Sequence, residues 1–495
     1  MGGVKSLAKD TAVYGVSSIV GRFLNWCLVP LYTIMFPAEE YGMVTYIYSI
    51  VALALIILTY GMETGFFRFA NHDRYKDPME VYSTSLWSLG VSSVLFFALL
   101  CIFINPVSRL LDCGNHQSYI LLMGAAVALD AFTAIPFSYL RFRRRPMRFA
   151  LLRLINIGLN IALNLFFILI CPKLDSKLVD WFYNPSFGIG YIFLTNFITS
   201  AMNLLLLLPE LRGFKWRFNK NLWCEMMRYS YPLLILGIAG IMNQTIDKIL
   251  LPNLVSDSNT AMTQLGIYGA NYKIAIVMVM FIQAFRFAYE PFIFAQNKGE
   301  DKKQSYRDAM KWFVVFSMVI FLGVMFYLDI LRYFIASSYW DGLSVVPIIM
   351  IAEFFFGVFF NLSLWYKLTD QTRWGMWFSL LGLAVTVILN CLLVPVIGYM
   401  GSAWAALACY SVMMITSYIV GRIKYPIGYE VGRLTGYFLL ALVLFGVSEI
   451  FTTESIIINY SLRTALLIGY IFTVLKIEKA SLSSLLPIKK ILSRR

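Results

Sequence analysis

Residues 375–420 read GMWFSLLGLAVTVILNCLLVPVIGYMGSAWAALACYSVMMITSYIV, without one Asp, Glu, Lys or Arg. The stretch divides around Gly398 into two apolar runs, 375–395 and 400–420. At about 1.5 Å of rise per helical residue, each run crosses a hydrocarbon layer roughly 30 Å thick. Basic residues flank the pair, with Arg373 before it and Arg422 and Lys424 after it. Lipid offers no partner to a backbone N–H or C=O, so such runs must bond internally as helices. The reading is a helical hairpin across a membrane, with both outer ends on a basic side.

Working outward, the same pattern recurs along the chain. It gives spans at 11–35, 42–65, 83–104, 118–138, 149–171, 187–208, 230–251, 265–288, 312–334, 345–365, 375–395, 400–420, 434–450 and 456–475. The fold class expected is an all-α integral membrane protein of about 14 transmembrane helices. Composition agrees: 59% of the 495 residues are hydrophobic and 14% charged, where a soluble domain carries about 25% charged. The net charge of +14 does not indicate nucleic acid, because the cations sit in short loops between apolar runs. With the N-terminus placed in the cytoplasm, 32 of the 41 Lys and Arg fall in inside segments, and the outside loops hold Arg109, Lys173 and Lys177. That split satisfies the positive-inside rule. Removing one span would invert every later loop, so an even count with both termini cytoplasmic follows. The longest loops expected are 209–229 and 289–311.

Nothing in the chain suggests a metal or a disulfide framework. Cys27, Cys101, Cys171, Cys391 and Cys409 lie in or beside apolar runs, Cys113 and Cys224 lie in loops on opposite sides, and His72 and His116 are far apart in topology. The first apolar run contains Arg22 and Asn25 and lacks a small-residue cleavage site, so it reads as a permanent span. Ser481–Arg495 alternates Leu and Ile with Lys and Arg and reads as a basic amphipathic helix on the cytoplasmic face.

The chain also repeats itself. Ala162-Leu163-Asn164 and the later Gly188-Ile189-Gly190-Tyr191 correspond to Ile388-Leu389-Asn390 and Gly398-Tyr399-Met400-Gly401. Tyr41-Gly42 corresponds to Leu265-Gly266. The offsets of the Asn164 and Tyr41 matches, 226 and 224, nearly agree. Spans 1–6 therefore match spans 7–12, and because six is even the two halves enter the membrane in the same sense. The expected domains are a six-helix lobe at 1–210, a second at 211–425, and two added helices with a basic tail at 426–495. Transporters built on parallel repeats hold substrate between their halves.

Motifs across nearly the whole chain then carry a resemblance. They are Gly21-Arg22, Leu28-Val29-Pro30-Leu31, the turn Pro37-Ala38-Glu39-Glu40-Tyr41-Gly42, Tyr60-Gly61-Met62-Glu63-Thr64-Gly65-Phe66-Phe67-Arg68, Ser230-Tyr231-Pro232-Leu233, Asn243-Gln244, Asp247, Gly266-Ile267-Tyr268 and Pro291. In these the chain resembles the polysaccharide flippase family (O-antigen and other lipid-linked oligosaccharides) of the multidrug/oligosaccharidyl-lipid/polysaccharide exporter superfamily. The resemblance implies a V-shaped bundle of two six-helix lobes around a central cavity. It also implies a polyprenyl-diphosphate-linked oligosaccharide as substrate, flipped to the periplasmic leaflet of a bacterial inner membrane for polysaccharide biosynthesis, lipopolysaccharide O-antigen included. Arg22 matches the family's frequent basic residue in span 1, and Asp247 its common acidic residue in span 7.

A diphosphate needs fixed cations, and a glycan needs amides, hydroxyls and aromatic faces. Arg22 lies halfway along span 1, where a charge costs roughly 2.5–3.5 kcal/mol on insertion scales, and Asn25 shares its helical side; Arg22 is a cavity candidate, with a structural ion pair as the alternative. Lys273 and Arg286 in span 8 are further cavity candidates, with snorkelling to the interface as the alternative. Asp247 and the adjacent Lys248 face different sides of their helix and each pairs elsewhere or lines the cavity. Glu353, the sole charge deep in span 10, is a candidate proton or cation site or else a partner for a basic residue. Glu63, Asp130 and Glu290 complete the acidic candidates. Asn156, Asn160 and Asn164 form an i, i+4, i+8 stripe that must face protein or water. No Gly-Lys dipeptide occurs, so there is no Walker A motif. No cofactor is expected; direction would come from proton or sodium coupling or from consumption of the flipped lipid. Expected partners are the lipid-linked oligosaccharide, membrane lipids, and polysaccharide polymerase and chain-length machinery, but not nucleic acid. Two rival functions remain open. A drug/cation antiporter of the same superfamily usually has twelve spans. A membrane polymerase or glycosyltransferase would need a catalytic cluster, and the longest outer loop offers only Asp175 and Asp180.

Overall fold

The computed structural model describes residues 15, 19–72, 77–111, 116–174, 181–214, 217–295, 302–369 and 371–478. The side chain of Glu290, and Cys113, Asp175, Asp180 and the segment Ser481–Arg495, lie outside the described residues. Fourteen apolar helices follow one another. They are α1 (Ile19–Met35), α2 (Ala38–Ala70), α3 (Pro78–Ile102), α4 (Gln117–Phe142), α5 (Pro146–Lys173), α6 (Gly190–Leu211) and α7 (Lys220–Leu254). Then come α8 (Ala261–Ala295), α9 (Lys302–Phe326), α10 (Val345–Leu368), α11 (Arg373–Ile397), α12 (Tyr399–Lys424), α13 (Val431–Ile450) and α14 (Ile456–Ile477). Thirteen of these are long and apolar enough to cross a membrane; α1 is shorter within the described residues. The protein is a multi-pass all-α membrane protein. Large apolar side chains point outward, as in Val94 at 71% and Val396 at 78% exposure, which suits lipid rather than water.

Two expected boundaries are corrected. Span 9 ends at Phe326, not at 334, and gives way to short helical turns at Leu328–Leu331 and Arg332–Phe334. The loops at 209–229 and 289–311 are largely helical, since α7 begins at Lys220, α8 runs to Ala295 and α9 begins at Lys302. Polar residues there conceal helix from a hydropathy reading but do not prevent it.

Local sequence explains the irregularities. Pro30 lacks an N–H for the carbonyl four residues back, and α1 loosens at Cys27–Leu28. α2 breaks at Tyr60 and Gly61, with φ of 32° and 71°; glycine accepts that conformation readily. The strained Tyr60 shares a 2.5 Å hydrogen bond with Ser88. A π-helical turn at Leu165–Ile170 follows Asn164 in α5.

The crossing of α2 and α8 orders the bundle. A Cβ placed on Gly42 would lie 2.8 Å from the carbonyl carbon of Met262 and 3.0 Å from the nitrogen of Gly266. One placed on Gly266 would lie 2.7 Å from the carbonyl carbon of Ala38 and 3.0 Å from the nitrogen of Gly42. Met262 precedes Gly266 by one helical turn, as Ala38 precedes Gly42. The contact is therefore reciprocal, as at a two-fold axis, and it joins the two glycines paired by the repeat offset. Asn164 and Asn390 are both fully buried, and each amide donates to the carbonyl four residues back, Asn160 and Thr386 respectively, at 2.8 Å. Each side-chain carbonyl accepts a hydroxyl, from Tyr32 at 2.9 Å and from Ser402 at 2.7 Å.

α13 and α14 pack against α9 and are clasped to it at both ends. At one end Arg463 of α14 donates to Asp329 at 2.6 Å and to the Phe326 carbonyl at 3.1 Å. At the other, Glu478 accepts from Lys311 of α9 at 2.8 Å, Arg433 of α13 at 3.0 Å and the Tyr437 hydroxyl at 2.5 Å. Burial alone would raise the Glu478 carboxyl, but hydrogen bonds from Lys311 and Tyr437 and the charges of Lys311 and Arg433 hold it below the usual carboxylate value.

Candidate functional site

Beneath the α2–α8 crossing lies a cavity of about 640 Å³, within the usual size of a ligand site. It is lined from α1, α2, α5, α6, α7, α8 and α10. Contacts between the helices close it at two ends. At the end carrying the Pro37 turn, the Tyr339 hydroxyl donates to the Phe36 carbonyl at 2.8 Å. There Trp26 stacks on Phe334 with centroids 4.0 Å apart. At the end carrying the basic loops, α2 meets α7. A Cβ on Gly65 would lie 2.8 Å from the Ser230 hydroxyl, and the Arg68 guanidinium lies 4.2 Å from the Tyr229 ring centroid.

The cavity gathers Arg22, Asn25, Lys273, Arg286 and Glu353, which the sequence leaves scattered over more than three hundred positions. Arg22 and Asn25 are exposed to it, on the cavity-lining side of α1 that continues into the buried Leu28 and Val29 one to two turns on. Among the described residues Arg22 makes no ion pair. Arg286 places its guanidinium 4.3 Å from the Phe360 ring centroid, a cation–π contact. The backbone carbonyl of Lys273 accepts from the Trp26 indole at 2.7 Å, tying α8 to α1 beside the closure.

Asp247 does not line the cavity. It is buried behind the wall, where it pairs with Lys248 at 2.9 Å and accepts from the Tyr268 hydroxyl at 2.7 Å. The two adjacent residues start from different sides of the helix, as expected, but rather than each pairing elsewhere they pair with each other, because the long lysine chain folds back, also donating to the Gln244 carbonyl at 2.9 Å. Lys248 is the residue that reaches the cavity. Its ammonium sits 4.3 Å from the Tyr272 ring centroid, and the Tyr272 hydroxyl donates to Glu353 at 2.5 Å. Asp247, Lys248, Tyr272 and Glu353 thus form one polar chain across α7, α8 and α10.

The wall of α5 and α6 is polar as well. Asn160 lines the cavity, while Asn156 donates to the Thr199 carbonyl at 3.0 Å, so the asparagine stripe faces protein and cavity rather than lipid. Asn196 donates to the Tyr48 hydroxyl at 2.6 Å. Asn196, Tyr48, Gln244, Gln283 and Tyr272 escaped the sequence reading. A neutral polar residue in an apolar run is a weak signal, although Asn196 and Gln283 carry the same desolvation argument as Asn160. Elsewhere, Glu63 pairs with Arg141 at 2.9 Å near the basic loops, outside the cavity lining. No cluster suited to a metal occurs among the described residues. The cavity thus presents four cations, one lining carboxylate, amides and phenols, a set that suits a polar anion.

The architecture has relatives. A family model described as polysaccharide biosynthesis protein matches residues 7–296. A protein of the Lsg locus of Haemophilus influenzae is 21% identical over 315 residues, covering 63% of this chain and 71% of its own. The structure is similar to the lipid II flippase MurJ in its inward closed conformation, with a TM-score of 0.73, 12% identity, and coverage of 94% of this chain and 98% of that one. It is also similar to an inward-facing multidrug resistance MATE family transporter of the MOP superfamily, with a TM-score of 0.65, 11% identity, and coverage of 82% and 94%. At such identities the likeness is one of fold, and these neighbours are a flippase and a transporter rather than enzymes. The family model spans more than half of the chain, and the protein belongs to the polysaccharide biosynthesis protein family, with a fold like that of these two solved structures.

Proposed function

We propose that the protein flips a polyprenyl-diphosphate-linked oligosaccharide from the cytoplasmic to the periplasmic leaflet of a bacterial inner membrane. The cavity's charge carries this reading: Arg22, Lys248, Lys273 and Arg286 face one lining carboxylate, Glu353. A diphosphate between such cations forms charge-assisted hydrogen bonds in a site shielded from bulk water. The amides and phenols around them suit sugar hydroxyls, and the polyprenyl tail stays in lipid. Residues 1–210 and 211–425 act as two lobes that meet and part at the α2–α8 crossing, with 426–495 appended to the second. Both termini lie in the cytoplasm, as the loop charges support. An ion gradient, of protons or sodium, gives direction, and Glu353 in its chain with Tyr272, Lys248 and Asp247 is the exchanging group. Polymerase and chain-length machinery act on the product, O-antigen being one such glycan.

The test is reconstitution in proteoliposomes with a fluorescent polyprenyl-diphosphate oligosaccharide, scored by access of an impermeant quencher. Transport that is lost in Arg22→Ala supports the reading. Failure to flip the lipid together with proton-driven export of an organic cation would replace it by drug antiport, which the same fold serves in MATE transporters.

A further inference from the structure

The repeat gives each helix of the first half a counterpart in the second, and one face differs sharply between them. In α9, 61% of the most apolar stretch is buried; in its counterpart α3, only 22%. The cover on α9 is the added pair α13–α14. Phe438 of α13 stacks on Phe354 of α10 at 5.4 Å, and Phe445 meets Phe321 of α9 edge-on at 5.7 Å. No described helix covers the corresponding face of the first half. There a groove of about 1380 Å³ runs between α3, α4 and α6. Its floor includes Leu129, which lies 225 positions before Phe354, within the range of the repeat offsets. Gly90, Ala98, Ala128 and Ala201 keep the groove open, and Val94 and Leu95 rim it at 71% and 56% exposure.

We propose that this groove seats one transmembrane helix of a partner membrane protein, entering as α13 enters the corresponding face of the second half. Within lipid, helices associate through close packing, and small residues let backbones approach. A groove floored by glycine and alanine gives a helix that contact, whereas mobile acyl chains gain little from it. A second copy of this chain is a poor occupant. Its α13 already spends its inner face on α9 and α10, and an exchange of that kind would be head-to-tail and would not close.

The test places a photoreactive phenylalanine analogue at Val91, Val94 or Leu95 of the full chain in its native membrane, with Ile457 on the lipid face of α14 as control. Cross-linked peptides are then identified by mass spectrometry. The expected adduct is one apolar segment of a different membrane protein, with the attachment point moving about one turn between Val91 and Leu95, and absent at Ile457. Ala98→Phe, and separately Ala201→Phe, fill the groove from opposite walls and should lower the yield about tenfold while the chain's abundance stays level. Two variants on different helices guard against a folding defect in either. Adducts to lipid alone, peptides of this same chain, or a yield indifferent to both substitutions would overturn the proposal.

Discussion

Replacing Gly266 with alanine should unlock the closure at the Pro37 end. The added methyl carbon would stand 2.7 Å from the Ala38 carbonyl carbon, where carbon atoms prefer about 3.5–4.0 Å. Both contacting groups are backbone, so no rotamer change relieves the clash, and α2 and α8 must part by roughly 1 Å. Overpacking of this kind costs about 1–3 kcal/mol. In a state whose halves have swung apart at this crossing the methyl meets nothing, so the cost is a difference between two states. It then shifts their ratio by about 5- to 150-fold toward the open one. The assay uses Thr45→Cys, on the cavity wall beside the crossing, in a background whose native cysteines are serine. A membrane-impermeant maleimide is applied from the Pro37 side. Labelling should accelerate by about 5- to 150-fold when Gly266→Ala is added. Gly42→Ala should do the same, because its methyl meets Met262 and Gly266 in the reciprocal geometry. Unchanged labelling in both variants, with transport also unchanged, would refute the assignment of this crossing as a moving closure.

The remaining predictions concern charge, topology and the clasp. Transport should fall in the order wild type, Arg22→Lys, Arg22→Ala at equal protein level, since lysine keeps the charge but loses the bidentate fork; normal flipping by the alanine variant counts against the cavity role. A reporter active only in the periplasm should work when fused after residues 113 and 180 and fail after 76, 145 and 303, and activity at 145 would break the topology. Glu478 is held below the usual carboxylate value, so its contribution to thermal stability should be intact above about pH 4.3 and vanish as pH falls through its lowered folded value. Glu478→Gln should therefore melt earlier than wild type at pH 7, and the gap should narrow toward pH 3; a gap constant with pH would mean the pairing adds nothing.

The spans were legible because lipid imposes a length and a composition on every one of them, and even α13, the shortest expected, forms as Val431–Ile450. The correspondence of Gly42 with Gly266 was legible from the repeat, but their contact was not, since equivalent positions in two halves need not meet. Of the six cavity candidates, Arg22, Lys273, Arg286 and Glu353 could be found from the cost of a charge within a span, and Asn25 from sharing the helical side of Arg22. Asp247 could not be placed, because adjacent residues on a helix diverge by about 100° and only the reach of the lysine chain brings the two charges together. Tyr272 was hidden for another reason. A tyrosine in a membrane helix is unremarkable until its hydroxyl is known to meet Glu353, and that partner lies 81 positions away.

Arg463 has a consequence for biogenesis. It lies in α14, which follows α9 by more than a hundred residues and is among the less apolar spans, with a mean hydropathy of 1.4. One end of its guanidinium is held by Asp329 and the Phe326 carbonyl, both inserted long before. The end of α9 therefore works as a waiting receptor, and a late helix that would be marginal alone is received by chemistry already in place. Damage at Asp329 should surface as a C-terminus stalled in the insertion machinery, more than a hundred residues downstream of the lesion.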